Sequence, residues 1–340
     1  MSAPEPEIFG KTETGETVTR VKISGGGLTA HILNFGAVIQ DLRLEGHDHA
    51  LVLGYDNFED YKSYSPYFGA TPGRSSNRIA NGRFEIDGKE FQVECNENGI
   101  TNLHGGSDGL GVSLWTFEEI AEDRVTLKII DPDGRAGFPG NCTVRAHFQL
   151  KEGGVLSVIY ESETDQPTIA NICNHTYFNL GNGTDTLEHK LMLAADHYLP
   201  TDERQIPTGE IRPVDGTAFD FREPQAMKRK DENGKQVLFD HNFCFSPKRT
   251  EKRKVATVFA PSSGVTMDVL TTEPGVQFYA AFKLAQTPVG LNGYPYGPFA
   301  GFCLETQVWP DAVNQSGFPS AILHPGETLK QETDYIFKKD

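Results

Sequence analysis

Cysteine is scarce in this chain, with five (Cys95, Cys142, Cys173, Cys244 and Cys303) among 340 residues. They are odd in number, lie far apart and form no C-x-x-C pair, so neither a disulfide framework nor a cysteine zinc site is indicated. A reducing compartment fits. Basic residues are also short: 31 Lys and Arg against 47 Asp and Glu leave a net charge of −16. Nucleic-acid binding rests on neutralising phosphates, so nucleic acid is not the expected partner. No apolar run approaches the ~20 residues that span a bilayer, and no membrane association is expected. Met1-Ser-Ala-Pro-Glu-Pro-Glu7 lacks the basic and apolar regions of a secretory signal, and the expected location is cytoplasmic.

Helical periodicity is missing as well. Apolar residues recur at alternate positions, the period of a half-buried strand. Val144, Ala146, Phe148 and Leu150 share one parity, as do Leu156, Val158 and Tyr160 beyond Gly153-Gly154. Phe84-Glu-Ile86 and Lys89-Glu-Phe91-Gln-Val93 flank Asp87-Gly88, a type I′ turn pair that sets Phe84 opposite Phe91. Val125, Leu127, Ile129 and Val265, Met267, Val269 predict further strands. The 35 glycines and 20 prolines supply the turns. The expected fold class is all-β: a large single-domain antiparallel β-sandwich over residues 1–340, without repeat or linker. A loop-rich charged segment at about 222–254, with basic clusters at Lys228 and Lys252, reads as a solvated excursion around Asp240.

The glycine-rich stretches at Gly25 and Gly105 lack the Lys-Ser/Thr pair of a phosphate loop. His47-Asp-His49 has no third ligand nearby and reads as a solvated loop. No nucleophile elbow or H-E-x-x-H pair is found. Four polar clusters stand in apolar or glycine-rich surroundings. Asn77 and Arg78 precede the Asp87-Gly88 hairpin, as hydrogen-bond donors to a hydroxylated ligand or a surface ion pair. His104 precedes two glycines, which leaves its ring accessible. Asn174-His175-Thr176-Tyr177 lies between Ile172 and Leu180, so alternation puts His175 and Tyr177 on one strand face, with a satisfied core histidine as the alternative. Glu305 follows Phe302-Cys-Leu304, where a carboxylate is either paired or has its pKa raised. A carboxylate and two histidines among Asn, Arg, Asp and Tyr suit proton transfer on a neutral, hydroxyl-rich molecule.

At these clusters the sequence resembles the aldose 1-epimerases, also called galactose mutarotases. The matching stretches are Asn34-Phe-Gly-Ala37, Gly73-Arg-Ser-Ser-Asn-Arg-Ile-Ala-Asn-Gly82, Asn102-Leu-His-Gly-Gly106, Asn174-His-Thr-Tyr-Phe-Asn-Leu180, Pro274-Gly-Val-Gln277-Phe-Tyr279 and Leu304-Glu-Thr306, in family order. Ser75-Ser76 departs from the bulkier or apolar residue often found before the Asn-Arg pair. The resemblance implies a galactose mutarotase-like β-supersandwich without metal or organic cofactor, acting on a monosaccharide such as galactose or glucose. It implies Glu305 as general base, His175 as general acid and His104 as the second histidine near the ring oxygen. Asn77, Arg78, Thr176, Tyr177, Asp240 and Gln277 are implied to line the sugar.

Competing expectations belong to other classes. A glycosidase would draft Asp240 beside Glu305 but leave the histidines without a role. A sugar-binding protein would dispense with Glu305 or His175. A sugar-phosphate epimerase would use the Lys228 and Lys252 clusters as anion sites.

Overall fold

The computed structural model describes residues 3–65 and 67–339. Arg83–Ile86 pairs antiparallel with Lys89–Gln92, and Phe84 stands opposite Phe91 with stacked rings 5.4 Å apart. Both turn residues have positive φ, 52° at Asp87 and 78° at Gly88, as a type I′ turn requires. Cys142–Lys151 and Val155–Thr164 form the second expected hairpin, with alternate residues buried along the first strand.

That hairpin lies within a nine-stranded antiparallel sheet. Arg124–Asp131, Cys142–Lys151, Val155–Thr164, Leu329–Lys339, Val265–Thr271 and Arg253–Ala260 are successive neighbours in it. A five-stranded sheet runs in the order Arg212–Pro213, His197–Tyr198, Asp240–Cys244, Gly275–Tyr279, Cys303–Gln307. One face of this second sheet carries Phe243, Val276, Phe278 and Leu304, which share a buried core with Val258, Met267 and Tyr335 of the first. Burial of that face, worth ~25 cal/mol per Å² of apolar surface, holds the sandwich together. Its opposite face is left for polar residues.

The one α-helix among the described residues, Phe58–Tyr64, is capped by Asn57 and buries Phe58 and Tyr61. None is long and apolar enough to cross a membrane.

Three local expectations need correction. Residues 171–180 form no continuous strand; only isolated bridges tie Asn171 to Ser75, His175 to Ala70 and Phe178 to Val52 and Phe302. The charged segment contributes three strand pieces, Gln225–Ala226, Asp240–Cys244 and the start of Arg253–Ala260. Its second basic cluster is paired across the sheet rather than merely solvated, since Lys252 Nζ lies 2.6 Å from Asp334 and Lys254 Nζ 2.6 Å from Asp268. His47, in turn, is buried rather than solvated.

Arg74, four residues before Arg78 in the same motif, is wholly buried. Its guanidinium donates to Asp131 Oδ2 (2.5 Å) and to the carbonyls of Pro139, Asp131 and Pro132. Removing one partner of such a pair leaves a desolvated charge. Arg74→Met is therefore expected to lose about 3–5 kcal/mol of stability in urea unfolding, and a loss below ~1 kcal/mol would contradict this role.

Candidate active site

The polar face of the five-stranded sheet follows from its register. Asn242 opposes Gln277, Gln277 opposes Glu305, and Asp240 opposes Tyr279, which opposes Cys303. Residues directly opposite in an antiparallel pair share a face, so Asp240, Gln277 and Glu305 project to one side. His175 is brought over this face by the bridges at Ala70 and Phe178.

Glu305 is buried, with Oε1 3.6 Å from His175 Nε2. That gap is too long for a direct hydrogen bond. On the carboxyl's other side the Cys173 thiol donates to Oε2 at 3.6 Å. A thiol is a weak donor, so the carboxylate gains little from it. Burial first, then the nearby Asp240 charge, push the Glu305 pKa up to about 8. Burial brings His175 down to about 4. The two shifts agree: near neutrality the pair holds one proton, and that proton sits on Glu305.

The Cys303 thiol lies 3.7 Å from His175 Nδ1, and the Tyr177 ring packs 5.1 Å from the imidazole. The His104 ring is 5.0 Å from His175, with Tyr67 against it at 4.7 Å. Asn77 places His104 through its backbone: its N–H donates to Nδ1 at 3.2 Å, and its carbonyl accepts from the His104 N–H at 2.9 Å. With Nδ1 accepting, a neutral His104 carries its hydrogen on Nε2. Burial, reinforced by His175 and Arg78, keeps it neutral by lowering its pKa well below the usual value. His104 has φ 54°, and the adjoining Gly105 has φ 88° with a hypothetical Cβ only 1.9 Å from the Gly73 carbonyl oxygen. Only glycine permits that approach.

Ligand-capable atoms of His104, His175 and Glu305 lie within 4.8 Å of one another. A carboxyl and two imidazoles this close can also pass a proton to and from a bound hydroxyl.

Around this centre, Arg78 grips Glu97 with Nε and Nη2 at 2.7 Å each, and is buried rather than at the surface. Asp240 accepts from Gln277 at 2.8 Å. Thr176 is buried, and its hydroxyl has no hydrogen-bond partner among the described residues. Sequence reasoning missed Glu97, Gln205, Lys283, Tyr67 and the two thiols. Gln205 and Lys283 lie in loops, and no local pattern announces their contacts with Asp240. The thiols were legible as apolar neighbours of His175 and Glu305.

Fold and site together define an enzyme of acid–base chemistry on a β-sandwich. A family model described as Aldose 1-epimerase matches residues 19–335. Galactose mutarotase of Rattus norvegicus is 41% identical over 336 residues, covering 97% of each chain. Aldose 1-epimerase of Escherichia coli (strain K12) is 32% identical, covering 92% of this chain and 93% of its own. Among solved structures, galactose 1-epimerase from Lactobacillus acidophilus NCFM superposes with a TM-score of 0.84 at 28% identity, covering 99% of both chains. The chain belongs to the aldose 1-epimerase family of isomerases.

Ionisation of Glu305 weighs on stability. A carboxyl whose folded pKa exceeds its unfolded value contributes fully below about 4.5 and loses that contribution as pH rises through about 8. Glu305→Gln cannot ionise. By calorimetry its Tm is expected to exceed the parent's by a few degrees near pH ~9 and to converge with it near pH ~5; a pH-independent difference would contradict the burial account.

Proposed function

We propose that this enzyme interconverts the α and β anomers of free aldohexoses such as galactose and glucose, by acid–base opening and reclosure of the hemiacetal ring. The observation that carries this reading is a carboxyl and an imidazole set side by side, Glu305 Oε1 3.6 Å from His175 Nε2. A hemiacetal has its hydroxyl and ring oxygens on one carbon, so opening it needs a base and an acid placed as neighbours. Glu305 takes the proton from the anomeric hydroxyl while His175 gives one to the ring oxygen.

That step starts from carboxylate and imidazolium, the arrangement that burial alone disfavours. Bound sugar favours it, because the anomeric hydroxyl donates to the carboxylate and the ring oxygen accepts from the imidazolium. Ring opening then returns the proton to Glu305 and leaves His175 neutral, the state that burial prefers. After rotation about C1–C2, the pair runs in reverse on the other face of the carbonyl. His104 offers its Nε2 hydrogen toward the ring oxygen. Asn77, Arg78, Thr176, Tyr177, Asp240 and Gln277 line the sugar and hold its hydroxyls.

The charges around the sugar are matched in pairs, Arg78 with Glu97 and Lys283 with Asp240. This favours a neutral sugar over a sugar phosphate. Five free thiols support a reducing location, for which we take the cytoplasm, and the partner is the monosaccharide itself.

The pH profile of kcat/KM is expected to be a bell with limbs near about 4 and about 8, the upper one set by loss of the pair's last proton. In polarimetry of freshly dissolved α-galactose, Glu305→Gln is expected to slow equilibration by about 10²- to 10⁴-fold; a near-parent rate would rule Glu305 out as the base.

A further inference from the structure

Gln205 occupies a place that the reaction scheme leaves unassigned. It sits at φ 62°, left-handed for a non-glycine residue, at the tip of the loop closed by the Thr201–Pro207 bridge. Asp202 ties that loop, its side chain accepting from the N–H groups of Arg204 and Ile206 at 2.8 and 3.0 Å and its carbonyl from that of Gln205 at 2.9 Å. A strained backbone held this firmly invites a functional reason.

Both ends of the Gln205 carboxamide are used. Nε2 donates to Asp240 Oδ2 at 2.7 Å, while Oε1 accepts from Arg78 Nη2 at 2.9 Å and from Lys283 Nζ. An ionised carboxylate offers about four acceptor positions. On Asp240, Gln277 takes one on Oδ1, and Gln205 and Lys283 take two on Oδ2. Arg78 spends Nε and Nη2 on Glu97 and Gln205, which leaves the two hydrogens of Nη1.

We propose that Gln205 is a positioning residue that, with Lys283, restricts Asp240 to one free acceptor and Arg78 to one free nitrogen, so the sugar is gripped through a single donor–acceptor set matched to neighbouring hydroxyls. This rests on the reading that Asp240 and Arg78 hold the sugar. Without Gln205 the carboxylate and guanidinium lose their common spacer, and binding suffers more than chemistry, because neither Glu305 nor His175 touches it.

Gln205→Met keeps the length and removes both polar atoms. Its KM for α-galactose is expected to rise about tenfold, with kcat within about threefold of the parent. Gln205→Glu gives a readout that a merely structural role would not produce. Its second oxygen faces Asp240 where Nε2 donated, so KM is raised at neutral pH and falls toward the parent value as acid supplies a proton that the two carboxylates share. The other titratable groups around Asp240 (Arg78 with its partner Glu97, Lys283, Glu305, His175, His241, Tyr177, Tyr279 and Cys303) are common to parent and variant, so the fall is read as the ratio of variant to parent KM at each pH. A parent-like KM in Gln205→Met, or a pH-independent ratio of Gln205→Glu to parent KM, would overturn the proposal. Asp240→Asn, assayed alongside, separates the two ideas. An unchanged KM there defeats the sugar-binding reading of Asp240; a raised KM there with an unchanged one in Gln205→Met defeats only the role of Gln205.

Discussion

Burying the Glu305 carboxyl with no strong hydrogen-bond donor among the described residues is the constraint on which the rest of the site depends. Burial and the field of the Asp240 carboxylate raise its pKa, and the Cys173 thiol at 3.6 Å and the Arg78 charge offset this only in part, while the His175 imidazole stands 3.6 Å away. A group so treated keeps its proton to about pH 8, and the same dryness denies one to His175 until about pH 4. A broad window follows in which the pair holds one proton, movable from one partner to the other by whatever binds between them. Hemiacetal opening demands that movement, and its reversal closes the ring.

The fold meets this demand through register. One face of the five-stranded sheet must be apolar to pack on the nine-stranded sheet, and strict alternation then delivers the other face to polar residues. Asp240, Gln277 and Glu305 align across three neighbouring strands for that reason. His104 and His175 arrive instead on connecting segments. His104 rides on a backbone turn pressed against Gly73, and His175 on a stretch pinned by single bridges.

The parts legible in the sequence are those in which neighbours along the chain decide the outcome. Asp87-Gly88 announces its hairpin because turn chemistry and alternation are both local. Glu305 stands out because an acid amid Phe302, Cys303 and Leu304 needs a reason. Residues 171–180 alternate as a strand would, yet their backbone partners come from three separate segments, and no ladder forms. Arg74 and Arg78 share one motif, but only packing shows that the first is spent on Asp131 while the second faces Glu97. Gln205 carries no signal at all, since its importance lies in contacts made 35 and 127 residues away.

The central claim, one proton shared by Glu305 and His175 and resident on the carboxyl, is open to direct measurement. Nitrogen-15 NMR of the His175 ring and carbon-13 NMR of the Glu305 carboxyl, followed in the sugar-free enzyme, should show a neutral imidazole down to about pH 4 and a carboxyl titrating near about 8. A His175 imidazolium beside an ionised Glu305 at neutral pH would contradict the account.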